Sequence, residues 1–351
     1  MKSYDVVEFG APLKATEKPT PKPQGTEVLL RTLAAGVCHS DLHIWEGWYD
    51  LGGGKKLTVK DRGLVPPLTM GHEIVGEVAA LGPEASGVKI GDKRLAHPWI
   101  GCGTCPVCRR GDEQLCLAPR FLGVQRPGGY ADHVLVPHPR YLLDLGRLSP
   151  AEAAPYACSG ITAFGALKRV GEAILREQPV MVIGAGGLGL MCLSLLKAMG
   201  GKGAVVADID PKKRAAALDA GALAAIDAGA ADAVAQAQQA AKAPLGAAID
   251  FVGATATAKL GIDALSKGGK YVIVGLFGGD ITLSLPLLPM RAITIQGSYT
   301  GSLAEMKELL SLVASGKVPP VPVHEHRLSE ANAILEELKA GRVVGRAVLT
   351  P

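Results

Sequence analysis

Two groups of side chains in this sequence could do metal chemistry. Cys102, Cys105, Cys108 and Cys116 are separated by two, two and seven residues, with Gly101, Gly103, Pro106 and Gly111 around them. Four soft thiolates can close a tetrahedral shell around Zn²⁺ and leave no open position, so the spacing predicts a structural site. Such an ion orders a turn-rich loop that has no core of its own; in zinc-finger peptides its binding amounts to about 10–16 kcal/mol. An iron–sulfur cluster or a redox disulfide would use the same thiols, but nothing else here suggests an electron-transfer chain. A nucleic-acid zinc ribbon is disfavoured because Arg109 and Arg110 are offset by Asp112 and Glu113. The second group is dispersed over Cys38-His39-Ser40-Asp41-Leu42-His43, Gly71-His72-Glu73 and Cys158. A Cys₂His shell of Cys38, His72 and Cys158 with one position open is what a catalytic zinc needs. Spacing alone does not bring the three together, and a buried cysteine serves equally as a small core hydrophobe.

A third pattern could hold a nucleotide. Gly184-Ala185-Gly186-Gly187-Leu188-Gly189 fits G-x-G-x-x-G directly after the apolar run Val180–Ile183 and before a helical pattern through Met199. The first glycine permits a tight turn, the second lets backbone approach a pyrophosphate, and the third lets helix pack on strand. The helix N-terminus adds unpaired N–H groups. Asp208 closes the next apolar run, 24 residues after Gly184. A carboxylate there accepts from a ribose diol and repels a 2′-phosphate, which favours NAD over NADP. Lys213 and Arg214, one helical turn further, could offset that repulsion.

These residues need elements to position them. At 351 residues two domains are expected. From about Cys158 onward, apolar strands at 180–183, 204–208, 247–251, 270–275 and 292–297 alternate with helical segments. That alternation predicts a doubly wound parallel sheet of Rossmann type. The Ala-rich run 215–258 reads as helices packed on that sheet. The first third reads as β-rich, with strands at 27–33 and 73–80, a long exposed loop at 47–64 and an irregular lobe at about 98–118. Helices are expected near 302–315 and 329–340, and a last strand at 345–349 has no βαβ partner, so it should return to the first lobe. Lys+Arg total 37 against 33 Asp+Glu, a difference of +4, and no run of five like charges occurs. Neither a nucleic-acid nor a membrane footprint is visible. Residues 179–196 lack charge, yet their glycines suit a strand, turn and helix better than a membrane span. The reading is of a cytoplasmic protein without a secretory signal.

Together these motifs resemble the zinc-dependent alcohol dehydrogenases of the medium-chain dehydrogenase/reductase family, over essentially the whole chain. The resemblance is carried by Gly-Val-Cys38-His-Ser-Asp, Gly-His72-Glu-Ile-Val-Gly, the cysteine lobe, Cys158-Ser-Gly-Ile-Thr, the glycine motif and Gly345-Arg346. The 47–64 segment looks most like the bacterial and archaeal tetrameric branch. The resemblance implies a GroES-like catalytic domain from residues 1–158 and 298–351 and a Rossmann domain from 159–297. It also implies NAD, two zinc ions per chain and a homotetramer, or a homodimer. Cys38, His72 and Cys158 would hold the catalytic zinc, with Glu73 behind it as an occasional ligand and Asp41 fixing the tautomer of His72. Ser40 would take the alcohol proton and pass it through the cofactor ribose to His43. His39 and Arg346 would contact the pyrophosphate, with Thr162, Lys213 and the glycine turn completing the cofactor site. Trp99, Phe121, Leu122, Leu276 and Tyr299 would wall the substrate pocket.

The implied chemistry is oxidation of primary or secondary alcohols to aldehydes or ketones. Zinc can bring the pKa of a bound hydroxyl from about 16 towards 7. At about 1.36 kcal/mol per unit that stabilises the anion by about 12 kcal/mol. A general base alone gives about 3–5 kcal/mol, so the metal dominates. A polyol dehydrogenase of the same family, which commonly has an acidic residue in place of Cys158, is the alternative within that family. A zinc- and nucleotide-binding protein without catalysis is the alternative outside it.

Overall fold

The computed structural model describes all 351 residues. Val28–Gly36 is the organising strand of the first lobe, with an apolar face and only Arg31 and Leu33 not buried. It pairs antiparallel with Glu73–Leu81 along its length, with His133–Val136 at its start and with Arg346–Thr350 at its end. The last strand therefore returns to the first lobe, as its lack of a βαβ partner implied. Its other neighbour, the parallel strand Val323–Arg327, was not anticipated: Val-His-Glu-His-Arg has no apolar alternation to betray it.

The second lobe is a six-stranded, wholly parallel sheet in the order Ala224–Asp227, Ala204–Asp208, Val180–Ile183, Ala247–Asp250, Lys270–Ile273, Thr294–Gly297. In order of sequence within the lobe this is 3-2-1-4-5-6, so the strand order reverses beside Val180–Ile183. That strand is fully buried because helices cover both faces. Helix Gly187–Ala198 follows it directly, which splits the uncharged run 179–196 between two elements. No helix is long and apolar enough to cross a membrane.

Two readings are corrected. The Ala-rich run is not all helical: Ala224–Asp227 lies between helices Pro211–Asp219 and Ala233–Ala241 as an edge strand in register with Val205–Asp208. Here sheet pairing overrides the helix propensity of alanine. The segment 47–64 is not an exposed loop. Trp48–Asp50 pairs with Lys56–Thr58 as a hairpin, a 3₁₀ turn follows at Lys60–Arg62, and Tyr49, Val59 and Leu64 are buried. Its tip reaches the second lobe, where Gly52 lies against the backbone of Gly279 and the side chain of Asp280.

Candidate active site

Cys38 ends the organising strand region in an extended conformation and caps helix His39–Glu46. Its N–H donates to Asp41 Oδ2 at 2.9 Å, so one turn fixes both residues. His72 lies just before the paired strand Glu73–Leu81. Cys158 closes a 3₁₀ turn immediately ahead of helix Ser159–Val170. Three elements distant in sequence thus meet, and ligand atoms of Cys38, His72, Glu73 and Cys158 all lie within 4.8 Å of one another, all buried.

The donor set fits zinc. Ligands at about 2.3 Å in a tetrahedron place two sulfurs about 3.8 Å apart, and Cys38 Sγ and Cys158 Sγ are 3.7 Å apart. A disulfide would need about 2.05 Å. His72 Nε2 and Glu73 Oε2 are buried without a hydrogen-bond partner, which protein groups seldom tolerate unless something else takes the lone pair. Cys38 is held well below the usual thiol range by the Cys158 thiol and by His72, while the same contact pushes Cys158 up. One negative sulfur is therefore already favoured. Burial opposes charge on His72, but Asp41 outweighs it and raises its pKa. Asp41 Oδ1 lies 3.2 Å from His72 Nδ1, off the line of a good hydrogen bond, and Tyr130 donates to Asp41 Oδ2 at 3.2 Å.

The cysteine lobe converges in the same way. Sulfur separations are 3.9 Å for Cys102–Cys108, 3.4 Å for Cys105–Cys108 and 3.8 Å for Cys105–Cys116, again matching a tetrahedral shell. Backbone N–H groups of Cys105 and Ala118 point at Cys102 and Cys116 sulfurs at 3.4 and 3.3 Å. The Thr104 hydroxyl and the amides of Thr104 and Cys105 pull the Cys102 thiol down to about 5. Glu113 ties the lobe to the sheet, accepting from Gly101 N–H at 2.9 Å, Arg140 at 2.9 Å and Tyr141 Oη at 2.7 Å.

At the glycine turn, Gly184 has φ +92° and a Cβ on Gly189 would collide with its carbonyl. A Cβ on Gly186 would meet nothing within 4 Å, so this backbone faces open space where a pyrophosphate could lie. Asp208 Oδ2 accepts from Ala185 N–H at 2.7 Å and Oδ1 from Asp210 N–H at 2.9 Å. The carboxylate thus braces the turn. Arg214 is turned back onto the carbonyls of Asp208 and Ile209 at 2.8 and 2.9 Å. Lys213 reaches towards Gly341, and Arg346 lies against Gly187 of the turn; burial, with lesser help from these two cations, lowers the pKa of His39. Thr162 is buried one turn into the helix after Cys158.

Two placements differ from expectation. Arg346 is a buried ion-pair partner of Glu73 and also donates to Val37 O at 3.1 Å. Its Cδ and Nη1 lie against Gly187, 2.5 and 3.0 Å from where a Cβ would stand. It therefore links the thiol–imidazole cluster to the glycine turn; burial raises Glu73 to about 7 despite that arginine. Leu122 packs with Val28, Leu30 and Ile74 in the core of the β-rich lobe, whereas its neighbour Phe121 packs with Trp99 in the main core. Trp99 does stand 5.4 Å from His72 by ring centroids, with Phe121 at 5.2 Å and Tyr299 at 6.2 Å from Trp99. Leu276 is half exposed on the loop after Lys270–Ile273. Ser40 and His43 share helix His39–Glu46 with Asp41, and His43 stacks at 4.7 Å on Tyr49. Sequence reasoning missed Tyr49 and Tyr130; neither sits in a motif, and only the fold reveals them.

A switch-point glycine turn beside a buried thiol–imidazole cluster defines a metal- and nucleotide-dependent oxidoreductase. This chain belongs to the zinc-dependent alcohol dehydrogenases of the medium-chain family. Residues 24–146 match the family described as alcohol dehydrogenase GroES-like domain and residues 187–315 the zinc-binding dehydrogenase family. The chain is 39% identical, over 100% of both chains, to an NAD-dependent alcohol dehydrogenase of Sulfurisphaera tokodaii. It is 32% identical to a D-arabinose 1-dehydrogenase (NADP(+)) of Saccharolobus solfataricus, covering 98% of this chain and 96% of that one. The solved alcohol dehydrogenase of Aeropyrum pernix superimposes with a TM-score of 0.89 at 32% identity, covering 100% of both.

Proposed function

We propose that the chain oxidises alcohols reversibly to aldehydes or ketones with NAD, using one catalytic and one structural zinc. The convergence of Cys38, His72 and Cys158, with His72 Nε2 unpartnered beside an aromatic wall, carries the reading. Cys38, His72 and Cys158 would hold the catalytic ion, and Cys102, Cys105, Cys108 and Cys116 the structural one. A zinc ion in the first site supplies Lewis acidity that makes the alcohol hydroxyl acidic and so a better hydride source. The chain's own residues do the rest. Asp41 orients His72, Ser40 Oγ takes the proton at the alcohol oxygen, and His43 gives it to solvent. Burial lowers the pKa of His43, which keeps its imidazole neutral and able to accept. Glu73 would serve as an occasional ligand, held off by its ion pair with Arg346. His39, Lys213, Thr162, Arg346 and the Gly184–Gly189 turn would bind the cofactor phosphates and Asp208 its ribose. Aromatic walls at Trp99, Phe121 and Tyr299 favour an apolar carbon chain next to the reacting carbon over the hydroxylated chain of a polyol. We assign residues 1–158 and 298–351 to the catalytic domain and 159–297 to the nucleotide domain, because the parallel sheet begins and ends within the latter range.

Metal analysis and turnover test this together. The purified enzyme should carry two zinc ions per chain. Cys38→Ala should carry one, bind NAD and lose alcohol oxidation; retained oxidation would refute the assignment.

The assembly is proposed as a tetramer built from sheet-edge dimers in the cytoplasm. Thr294–Gly297 is an exposed edge strand with Ile295 on it exposed, and Leu285, Leu287 and Met290 in the segment before it are exposed too, an arrangement that otherwise invites pairing. Light scattering should find a multimer that Ile295→Lys converts to smaller species; an unaltered size would remove this edge from the interface.

A further inference from the structure

We propose that Arg62 determines specificity, and that the preferred substrates are alcohols and aldehydes bearing a carboxylate at the end remote from the reacting carbon. The proposal rests on the alcohol dehydrogenase reading above and refines its substrate class.

Arg62 closes the 3₁₀ turn Lys60–Arg62 of the segment inserted before His72. Its Nη1 donates to Tyr49 Oη at 3.2 Å, and its guanidinium carbon lies 5.4 Å from the centre of that ring. Tyr49 in turn stacks on His43. The other phenol acting on Arg62 is Tyr299, which completes the aromatic wall with Trp99 and Phe121 next to His72. The guanidinium thus adjoins the tyrosine end of that wall, with Tyr299 and then Trp99 between it and His72.

No carboxylate answers it. Asp61, its neighbour in sequence, is spent on the N–H and hydroxyl of Thr58 at 3.0 and 2.7 Å. Arg62 is half-buried and makes no ion pair within the protein. Burial works against its charge, and the two phenols outweigh burial and raise its pKa. A guanidinium has five N–H donors in a fixed fork; the Tyr49 and Tyr299 hydroxyls engage one each, and the larger part of the fork is free. A cation kept half out of water with most donors free is arranged for an anion that arrives from outside. A carboxylate matches the fork in two parallel hydrogen bonds and carries a single charge. A phosphate dianion would lose far more hydration against the Tyr49 and Tyr299 rings. A role as a tie between the inserted segment and Tyr299 would not require that carboxylates be absent.

The test uses the zinc-loaded enzyme with NAD and three substrates of equal chain length: ω-hydroxypentanoate, its methyl ester and pentanol. The acid should exceed the ester in kcat/KM by about tenfold or more, as a charge-assisted hydrogen bond supplies. Arg62→Gln and Arg62→Leu should cut that ratio at least tenfold, chiefly through the KM of the acid, and Arg62→Lys should keep part of it. A ratio within twofold of wild type in Arg62→Gln would overturn the proposal. Should that variant not fold, high salt applied to the wild type must erode the acid-over-ester preference, and a salt-independent ratio overturns it equally. Calorimetric titration of the zinc-loaded enzyme with ω-hydroxypentanoate, without NAD, separates the two readings. Binding that depends on Arg62 without oxidation of any alcohol would sink the alcohol dehydrogenase reading alone. Oxidation of pentanol with no charge preference would sink the Arg62 assignment alone.

Discussion

His72 can serve as a ligand only if its second nitrogen is held, and that depends on Asp41. The carboxylate of Asp41 receives the Cys38 N–H at 2.9 Å and the Tyr130 hydroxyl at 3.2 Å while facing His72 Nδ1. Asp41→Asn preserves the volume and can still accept from Cys38 and Tyr130. Its amide nitrogen then points a donor at Nδ1, which favours the tautomer with the proton on Nε2, the nitrogen needed for metal. Zinc affinity at this site should fall about 10–100-fold, measured by competition with a chelator while the cysteine-lobe zinc serves as internal control. Unchanged affinity would show that Asp41 only caps its helix. At this scale the sequence displayed ligand types and the glycine motif, because their chemistry depends on residue identity and local spacing. It did not display Tyr130, which reaches Asp41 only because Gly71 leaves room for its ring. Nor did it reveal that Arg346 faces Glu73, since the two lie 273 positions apart.

Among the elements, those with one strong period were legible. The apolar Val180–Ile183 strand, the helix after it and Ala204–Asp208 stand where expected. Ala224–Asp227 and the 47–64 hairpin were not legible, because their signal lies in what they pair with and not in their own composition. The hairpin has a mechanical consequence. Gly52 has φ +78°, and a side chain there would stand 2.7 Å from the backbone of Gly279 and 2.8 Å from Asp280 Cβ. Gly278, on the facing loop, leaves equally little room against Asp50 Cβ at 2.5 Å. The hairpin tip and this loop therefore form a close seam across the cleft, made possible by glycines on both sides. Gly52→Val should open it. The expected cost is about 1–3 kcal/mol of stability from overpacking, seen as a lower thermal midpoint, together with a raised KM for alcohol and for NAD. A variant with wild-type midpoint and KM would mean that the tip swings free in solution.

For the whole molecule, net charge is small near neutral pH, so in mild acid, before the carboxylates protonate, the first losses of stability fall to particular buried groups. His97 is the first of these. It is fully buried, neither ring nitrogen has a partner, and burial lowers it from 6.5 to about 3. Below pH 6.5 the unfolded chain binds a proton at this residue that the folded chain refuses, so stability falls as pH falls, by up to about 1.36 kcal/mol per unit, until about pH 3. Asp5 acts in a lower window. Burial opposes its charge, but Lys18 at 2.7 Å and the Thr69 hydroxyl at 2.6 Å outweigh burial and hold its carboxyl below 3.8. The stability it contributes is complete above the unfolded value and is lost only as pH falls through the depressed one. The two contributions therefore separate. His97→Leu replaces the imidazole with an apolar group that has no proton to bind. Urea unfolding of the zinc-loaded protein at pH 6.5 and at pH 4 should show the wild type losing about 3 kcal/mol more than the variant. Protonation of the zinc-binding thiols weakens both proteins alike and cancels in the difference. Below pH 4 the remaining decline, common to both, should be reduced by Asp5→Asn. If His97→Leu and wild type run parallel between pH 6.5 and 4, the imidazole has a proton acceptor in the folded state and its burial is not what limits the enzyme in acid.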